Sequence, residues 1–280
     1  MYNIHSHYQN VLSYARTIIT HPRVDYLHPF GSTQPENIET LNSSGVGPLL
    51  FCYDQEPLIP FYNDPVFDKI KDARDSNGNP RPVILLNTER NSEAKNQLLK
   101  KYGFIDCYYF FHALAAADWY RGYEYNKDLT EPRARTLTKK YITFNRITGG
   151  ARAYRSFLIY ELAKHGILDQ GYVSYSNICP VHGHYEHNIL DTVGKYQVDA
   201  DYVIRARYVL DRLQYPLRID YTDQEFIPNR SFEISCIPEM MSSFLHVVTE
   251  TCFWDTKCHL TEKIFKPIIA CLLYTSDAAD

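Results

Sequence analysis

Short, continuously apolar segments alternate along the chain with segments of helical spacing, and this alternation most limits the folds open to it. The apolar segments lie at residues 48–54, 82–88, 105–111, 141–144, 171–176 and 244–248. Strands that are apolar throughout are buried on both faces, which is typical of parallel sheets covered by helices. Helical apolar spacing is found at residues 92–102, 152–165 and 199–213. The sequence therefore predicts an α/β fold.

The alternation is interrupted at residues 126–140, which are rich in Thr, Pro, Arg and Lys and poor in apolar side chains. A chain of 280 residues suits one large domain or two smaller ones. We predict two Rossmann-like domains facing a cleft. The N-terminal α/β domain would span residues 1–135, and the C-terminal domain residues 139–270.

Residues 271–280 do not continue the pattern. After a helix ending near Ala270, an α/β unit should lead into another buried strand, but here the sequence becomes polar. These ten residues resemble the in-frame translation of a sequencing adapter, and a natural polar tail is the alternative. We expect the natural sequence to depart from this one near Ala270, which would leave the second domain incomplete.

Composition restricts the partners and the compartment. The net charge of −4 argues against a broad basic surface for nucleic acid. The seven cysteines show no paired CxxC spacing, which favours free thiols in a reducing compartment. The first residues lack the basic and apolar regions of a secretory signal, and no apolar run reaches the ~20 residues that span a bilayer. We predict a soluble cytoplasmic protein of a microbe or a viral host cell, with peripheral membrane contact left open.

The segment after the strand at residues 244–248 has the residues of a nucleotide site. Thr261 is a good N-cap, and the helix start that follows it would present backbone N–H groups and a positive dipole end to an anion. Lys263 adds a full charge there, while Glu250 and Glu262 could accept hydrogen bonds from ribose hydroxyls. This combination predicts a site for a nucleoside diphosphate. Helix capping alone is the alternative.

A second basic helix start follows the strand at residues 141–144. Asn145 opens a loop containing Gly149 and Gly150, and Arg152 and Arg155 lie near the start of the next helix. Arginine can bind phosphate oxygens through two parallel hydrogen bonds, and a helix N-terminus favours the same anion. We predict that Asn145, Arg152 and Arg155 belong to the same nucleoside-diphosphate site, with solvated helix-end arginines as the alternative.

These motifs resemble the donor-binding signature of fucosyltransferase-like glycosyltransferases, in which a Phe-Glu-Asn-Ser element precedes a Thr-Glu-Lys helix start. Residues 260–264 match the second element closely, whereas Thr251 replaces the Asn of the first. The resemblance implies ribose and diphosphate contacts for Glu262 and Lys263, and a diphosphate contact for Arg155. It also implies a two-domain (GT-B) enzyme that moves a sugar, usually fucose, from a nucleotide sugar to a glycan or glycolipid acceptor, without a metal or other cofactor.

Inverting sugar transfer needs a general base that deprotonates the acceptor hydroxyl. The family takes this base from a Glu at a strand end of the first domain. Glu56 is our first candidate, and Asp54 and Glu89 follow it, because all three come after predicted strands. Acidic residues that only form turns are the alternative for each.

Two further patterns suggest metal binding more weakly. His182, His184 and His187 lie within six residues but match no standard zinc spacing, which favours a surface loop. Asp199 and Asp201 form an Asp-x-Asp pair of a kind that is common by chance. We predict no metal site. A non-catalytic nucleotide- or glycan-binding protein with the same fold remains the alternative to an enzyme.

Overall fold

The structure is a computed structural model of the chain, and it describes most of the second half and parts of the first. The described residues are 25–27, 47–53, 58, 67–90, 92–108, 110, 112, 135–215, 217, 236–251, 253, 259–269 and 273–276. The chain divides into two compact units. Unit 1 comprises Met1–Leu114 and Thr256–His259, and unit 2 comprises Ala115–Asp255 and Leu260–Asp280.

Unit 1 contains a parallel four-stranded sheet whose strands follow chain order. The strands are β1 (Asp25–Leu27), β2 (Leu49–Tyr53), β3 (Val83–Asn87) and β4 (Ile105–Tyr108). All five residues of β3 are buried, as expected of an inner strand that is apolar throughout. The core beneath the sheet is aromatic, and the ring of Phe67 makes edge contacts with the rings of Phe51, Tyr102 and Phe104.

Helix α1 (Glu93–Tyr102) connects β3 to β4 and has both predicted ends. The Ser92 side chain accepts a hydrogen bond from the backbone N–H of Lys95, which satisfies one of the unpaired donors of the first turn. Gly103 ends the helix at φ 68°, a left-handed conformation that costs glycine little. This helix and its boundaries are confirmed.

Unit 2 contains a second parallel sheet, in which the strands do not follow chain order. The strands β5 (Lys139–Asn145), β6 (Gly171–Tyr175), β9 (Ser243–Val248) and β10 (Leu273–Ser276) are arranged β10-β9-β5-β6. The chain therefore leaves β5 on one side to form β6 and returns on the other side to form β9. A short antiparallel hairpin, β7 (Ile178–Cys179) with β8 (Gly183–His184), follows β6.

Five helices accompany this sheet in the described residues of unit 2. They are α2 (Tyr154–Lys164), α3 (Tyr185–Tyr196), α4 (Ala200–Leu210), α5 (Ile237–Met241) and α6 (Phe265–Ile269). Helices α2, α3 and α4 pack with alternate residues of the strands in one core, which includes Tyr141, Val173 and Ile189. The opposite sheet face carries Ile142, which packs with Met240 of α5.

The predicted fold class is confirmed as mixed α/β with parallel sheets. The predicted strands near residues 48, 82, 105, 141, 171 and 244 are all present. Helix α3 and strand β1 were not predicted. Residues 126–134, most of the predicted linker, lie outside the described residues, so the predicted boundaries at 135 and 139 stay a prediction.

Strand β10 lies within the segment to which the sequence assigned no structure. Residues 273–276 pair in parallel with residues 245–248 of β9. A helix followed by a parallel strand is the ordinary continuation of an α/β unit, and Tyr274 and Thr275 have favourable strand propensity. The foreign origin of residues 271–280 and the incompleteness of the second domain stay predictions.

Candidate functional site

The site is built at the carboxyl ends of β5 and β9, where the strand order of the unit 2 sheet reverses. Strand β5 pairs with β6 on one side and with β9 on the other. Loops leaving such neighbouring strands diverge to opposite faces of the sheet, and ligands of open α/β sheets bind in the crevice between them. Asn145 ends β5, and Thr249 and Glu250 follow β9 directly. The topology thus brings two of the predicted segments together.

Arg155, in the first turn of α2, joins the two loops. Its Nη1 donates to the carbonyl of Ile147 at 2.9 Å, and its Nη2 donates to the carbonyls of Thr249 at 2.7 Å and Glu250 at 2.9 Å. The side chain is buried. Both terminal nitrogens of the guanidinium are therefore bonded to backbone carbonyls, so Arg155 positions the loops, and its contact with a diphosphate stays a prediction.

Glu250 is fully buried and orients the segment that starts at Thr261. One carboxylate oxygen accepts from the Thr261 backbone N–H at 3.1 Å, and the other accepts from the Thr261 hydroxyl at 2.6 Å. The hydroxyl oxygen in turn accepts from the backbone N–H of Lys263 at 3.3 Å and from its ammonium at 3.1 Å. Glu250 was predicted to accept bonds from ribose. In the structure it holds the Thr261–Lys263 turn.

The helix predicted to open at Thr261 is shorter than expected. Glu262–Ile264 form a 3-10 turn, and α6 adds only five residues. Because the summed backbone dipole of so short an element is small, an anion here would be bound mainly by side-chain charge. Lys263, which is half-buried, is suited to this role. The side chain of Glu262 lies outside the described part of the chain.

Arg152 provides a second cation on the β5 side of the crevice. It ends a 3-10 turn at Gly150–Arg152 that leads into α2, and its Nη2 lies 3.5 Å from the Thr251 hydroxyl. Arg152 is half-buried, as Lys263 is. Thr251, which stands in place of the family's Asn, is thus in contact with a predicted donor-site residue. Both cations are thus linked to the segment after β9, Arg152 through Thr251 and Lys263 through Thr261 and Glu250.

Three buried polar atoms around this crevice lack a hydrogen-bond partner among the described residues. They are Asn145 Oδ1, Thr148 Oγ1 and Arg155 Nε, and Asn145 and Thr148 are fully buried. Leaving a buried polar group unpaired costs about 1–3 kcal/mol, so such groups in native proteins require an explanation. A polar ligand held in the crevice would provide partners for them.

Sequence reasoning missed the aromatic residues that lie beside Glu250. The Tyr154 hydroxyl donates to the Glu250 carbonyl at 2.7 Å, and the Phe253 ring stacks on the Tyr154 ring with centroids 4.4 Å apart. Phe253 is 48% exposed. An aromatic residue in a loop is not by itself a distinctive pattern, so no signal in the sequence pointed to this pair.

Glu89, the candidate base that the structure describes, is hydrogen-bonded within unit 1. Glu89 is buried, and one carboxylate oxygen accepts from the Leu58 backbone N–H at 3.0 Å while the other accepts from the Ser92 hydroxyl at 3.3 Å. Both oxygens are therefore used within the protein. Asp54 and Glu56 lie outside the described residues. Glu89 therefore bonds to the backbone of Leu58, which follows Glu56 by two residues in the sequence.

The metal-like patterns have local structural roles. Asp199 is the N-cap of α4 and accepts from the backbone N–H of Tyr202 at 2.7 Å. His184 is the N-cap of α3, where Nδ1 accepts from the backbone N–H of Glu186. In the part of the chain that the structure describes, no group of three or more His, Cys, Asp or Glu side chains is placed to hold a metal ion.

Comparison with known proteins returned no similar protein, since no protein family, curated protein or solved structure matches the chain. None of the described helices is both long enough and apolar enough to cross a bilayer.

Proposed function

We propose that this protein is a glycosyltransferase that transfers a sugar from a nucleoside-diphosphate sugar to a glycan or glycolipid acceptor, with inversion. The donor diphosphate would lie in the unit 2 crevice between β5 and β9, and the acceptor would be activated by a carboxylate of unit 1 in a GT-B arrangement. Resemblance to fucosyltransferase-like enzymes makes fucose the first sugar to test.

One observation supports the proposal most directly. Half-buried cations and buried polar atoms that have no partner among the described residues lie together where the strand order of the sheet reverses. Arg152 bonds to Thr251, and Lys263 bonds to Thr261, which in turn bonds to Glu250. Asn145 and Thr148 contribute buried oxygen atoms without partners among the described residues. Cations suit phosphate oxygens, and a hydroxyl such as that of Thr148 or an amide oxygen such as that of Asn145 suits polar groups of the donor.

The chemistry follows from the charge that develops on the leaving group. The acceptor hydroxyl oxygen forms a bond to the anomeric carbon while the bond from that carbon to the diphosphate oxygen breaks. The hydroxyl proton passes to the base, and the bonding electrons leave with the nucleoside diphosphate. Preorganised cations that face this developing negative charge lower the barrier most, which is the role we assign to Lys263 and Arg152.

The base remains Glu56, with Asp54 second. Glu89 is the weakest of the three candidates because its oxygens already accept bonds from Leu58 and Ser92. The same fact supports the alternative function, a non-catalytic nucleotide- or glycan-binding protein, since the acidic candidate that the structure describes is engaged elsewhere.

Thermal unfolding with millimolar GDP, UDP, ADP or CMP tests the donor site. We expect one nucleoside diphosphate to stabilise the chain, by about 2.7 kcal/mol at a hundredfold excess over its Kd. Lys263→Ala should abolish this stabilisation, whereas Lys164→Ala, at an exposed position near the end of α2, should retain it. A folded chain that no nucleoside diphosphate stabilises, or an unchanged shift in Lys263→Ala, would refute the proposed site.

Turnover of the identified donor separates the enzyme from the binding protein. The enzyme should release nucleoside diphosphate from the sugar nucleotide when an acceptor glycan is present, and Glu56→Gln should slow release while donor binding is retained. Binding without any release in the presence of a panel of acceptors would instead favour the non-catalytic alternative.

A further inference from the structure

The β7–β8 hairpin places a histidine on the glycine loop of the donor crevice. The hairpin pairs Ile178–Cys179 with Gly183–His184, and its turn contains His182. The imidazole of His182 lies over Gly149 and Gly150, which connect β5 to α2. A Cβ atom on Gly150 would lie 3.6 Å from His182 Cε1 and 3.7 Å from Nε2, so the ring edge faces the start of the 3-10 turn that contains Arg152.

Gly149 is the residue that permits this approach. A Cβ atom at Gly149 would lie 2.4 Å from His182 Cβ and 2.5 Å from Cγ, far inside van der Waals contact. The clash would involve the base of the histidine side chain, which cannot move unless the hairpin moves. The absence of a side chain at Gly149 therefore sets the position of His182 relative to the β5–α2 loop.

His182 lies in a locally basic environment. The residue is exposed, but partial burial of its ring lowers its pKa most, followed by the positive charges of Arg152 and Lys195. Lys195 lies in α3, which follows the hairpin directly. Two basic side chains from two elements, His182 and Arg152, thus lie at the β5–α2 loop, and Lys195 adds positive charge near the ring of His182. The loop also contains Thr148, whose buried hydroxyl has no partner in the described residues.

We propose that His182 is a phosphate ligand of the donor site and donates a hydrogen bond from its imidazole to an oxygen of the nucleoside diphosphate, beside Arg152. This inference rests on the proposed function, because it requires the diphosphate to lie in the β5–β9 crevice. The hairpin is then part of the site, and His182 binds an anion in a segment whose histidines suggested a metal.

Calorimetric titration of inorganic pyrophosphate and of the stabilising nucleoside diphosphate tests the inference. His182→Phe keeps a ring over Gly149 but removes both nitrogens, and it should weaken binding about tenfold, the effect of one hydrogen bond to a charged group. His182→Gln retains an N–H donor of similar reach and should recover part of the affinity. His187→Phe, at an exposed position in α3, is the matched control and should bind as the unmodified chain does.

Gly149→Ala provides an independent check, since it displaces the hairpin and leaves His182 chemically intact. Provided that circular dichroism shows a folded chain, its affinity should fall as in His182→Phe. If the unmodified chain binds neither pyrophosphate nor any nucleoside diphosphate, both proposals fail together. If the unmodified chain binds but His182→Phe binds equally well, the role of His182 is overturned and the proposed function stands.

Discussion

The carboxyl ends of the two parallel sheets both carry clusters of polar residues, but the clusters differ in how fully they are bonded within the protein. In unit 1, the Lys95 ammonium bonds to the Glu89 carbonyl at 3.0 Å and pairs with Asp106 at 2.9 Å. Asp106 also accepts from the Asn87 amide at 2.8 Å, and Lys95 is only 1% exposed. The main charged groups of this cluster are bonded to one another.

In unit 2, the corresponding cluster has a buried interior and a half-buried edge. Arg155 and Glu250 are buried and hold the loops, whereas Arg152, which bonds to Thr251, and Lys263, which bonds to Thr261, are half-buried. Among the described residues, this cluster has two buried oxygen atoms without a partner, those of Asn145 and Thr148. In unit 1, the Thr88 hydroxyl is the comparable atom. The residue types alone are similar in the two units. A structural cluster is therefore distinguished from a candidate binding site by how many of its polar groups are hydrogen-bonded within the protein, and not by its residue types.

Arg155→Met should give the largest loss of stability, because it leaves the carbonyls of Ile147, Thr249 and Glu250 without their donors. We expect the free energy of unfolding of unit 2 to fall by about 3–4 kcal/mol, measured by urea denaturation. Arg205→Met, on the exposed side of α4, is the control and should change it little. An equal, small effect of both substitutions would mean that Arg155 does not hold the loops.

Asp106→Asn should destabilise unit 1 by about 2–3 kcal/mol, since it leaves the buried Lys95 ammonium without a counter-charge. Lys95 and Asn87 bond to different oxygens of the Asp106 carboxylate, and the new amide offers only one acceptor oxygen in place of these two. Asp68→Asn removes an exposed ion pair with Lys71 and serves as the control, with an expected change below about 0.5 kcal/mol. Equal urea midpoints for the two variants would contradict the conclusion that the charged groups of the unit 1 cluster stabilise one another.

Protonation of the buried His246 should lower the stability of unit 2 at acidic pH, whether or not the candidate site is occupied. Burial, and secondarily the charge of Lys266, lowers the pKa of His246 to about 3, below the ordinary value of 6.5. As the pH falls, the unfolded chain therefore takes up the proton before the folded chain does. The stability that depends on a neutral His246 is present above pH 6.5 and is lost as the pH falls from 6.5 towards 3. At pH 5 the loss should be about 2 kcal/mol relative to pH 7.5.

Urea denaturation at both pH values checks this, with His246→Leu as the comparison. The variant should lose less stability than the unmodified chain between pH 7.5 and pH 5, whatever its absolute stability. Parallel pH profiles for the two chains would show that His246 is not the group responsible.

Lys263→Ala should have the smallest effect on stability, below about 0.5 kcal/mol without ligand, because Lys263 is half-buried and at the edge of the cluster. This sharpens the contrast with Arg155, which the same unit buries completely in its interior. Urea denaturation without nucleotide measures it. A loss comparable to that of Arg155→Met would assign Lys263 to the structural part of the cluster and weaken its role as a phosphate ligand.

The sequence by itself determined the elements whose cause is local. Strand β3 could be predicted because a strand that is apolar throughout must be buried on both faces, and all its residues are buried. Helix α1 could be predicted with its ends, because Ser92 and Gly103 cap it through bonds to residues only three or four positions away. The segments of the candidate site were also recognisable, since strand, loop and helix start each have a local pattern.

Only the tertiary structure decided which strands became neighbours and which polar groups were used internally. Nothing in the apolar pattern indicates that β9 pairs with β5 on the side opposite β6. Leu58 lies 31 positions from Glu89, and Thr249 lies 94 positions from Arg155, so these bonds leave no local trace. The same holds for His182 on Gly149, because a close approach between distant segments depends on packing, which periodicity and capping do not encode.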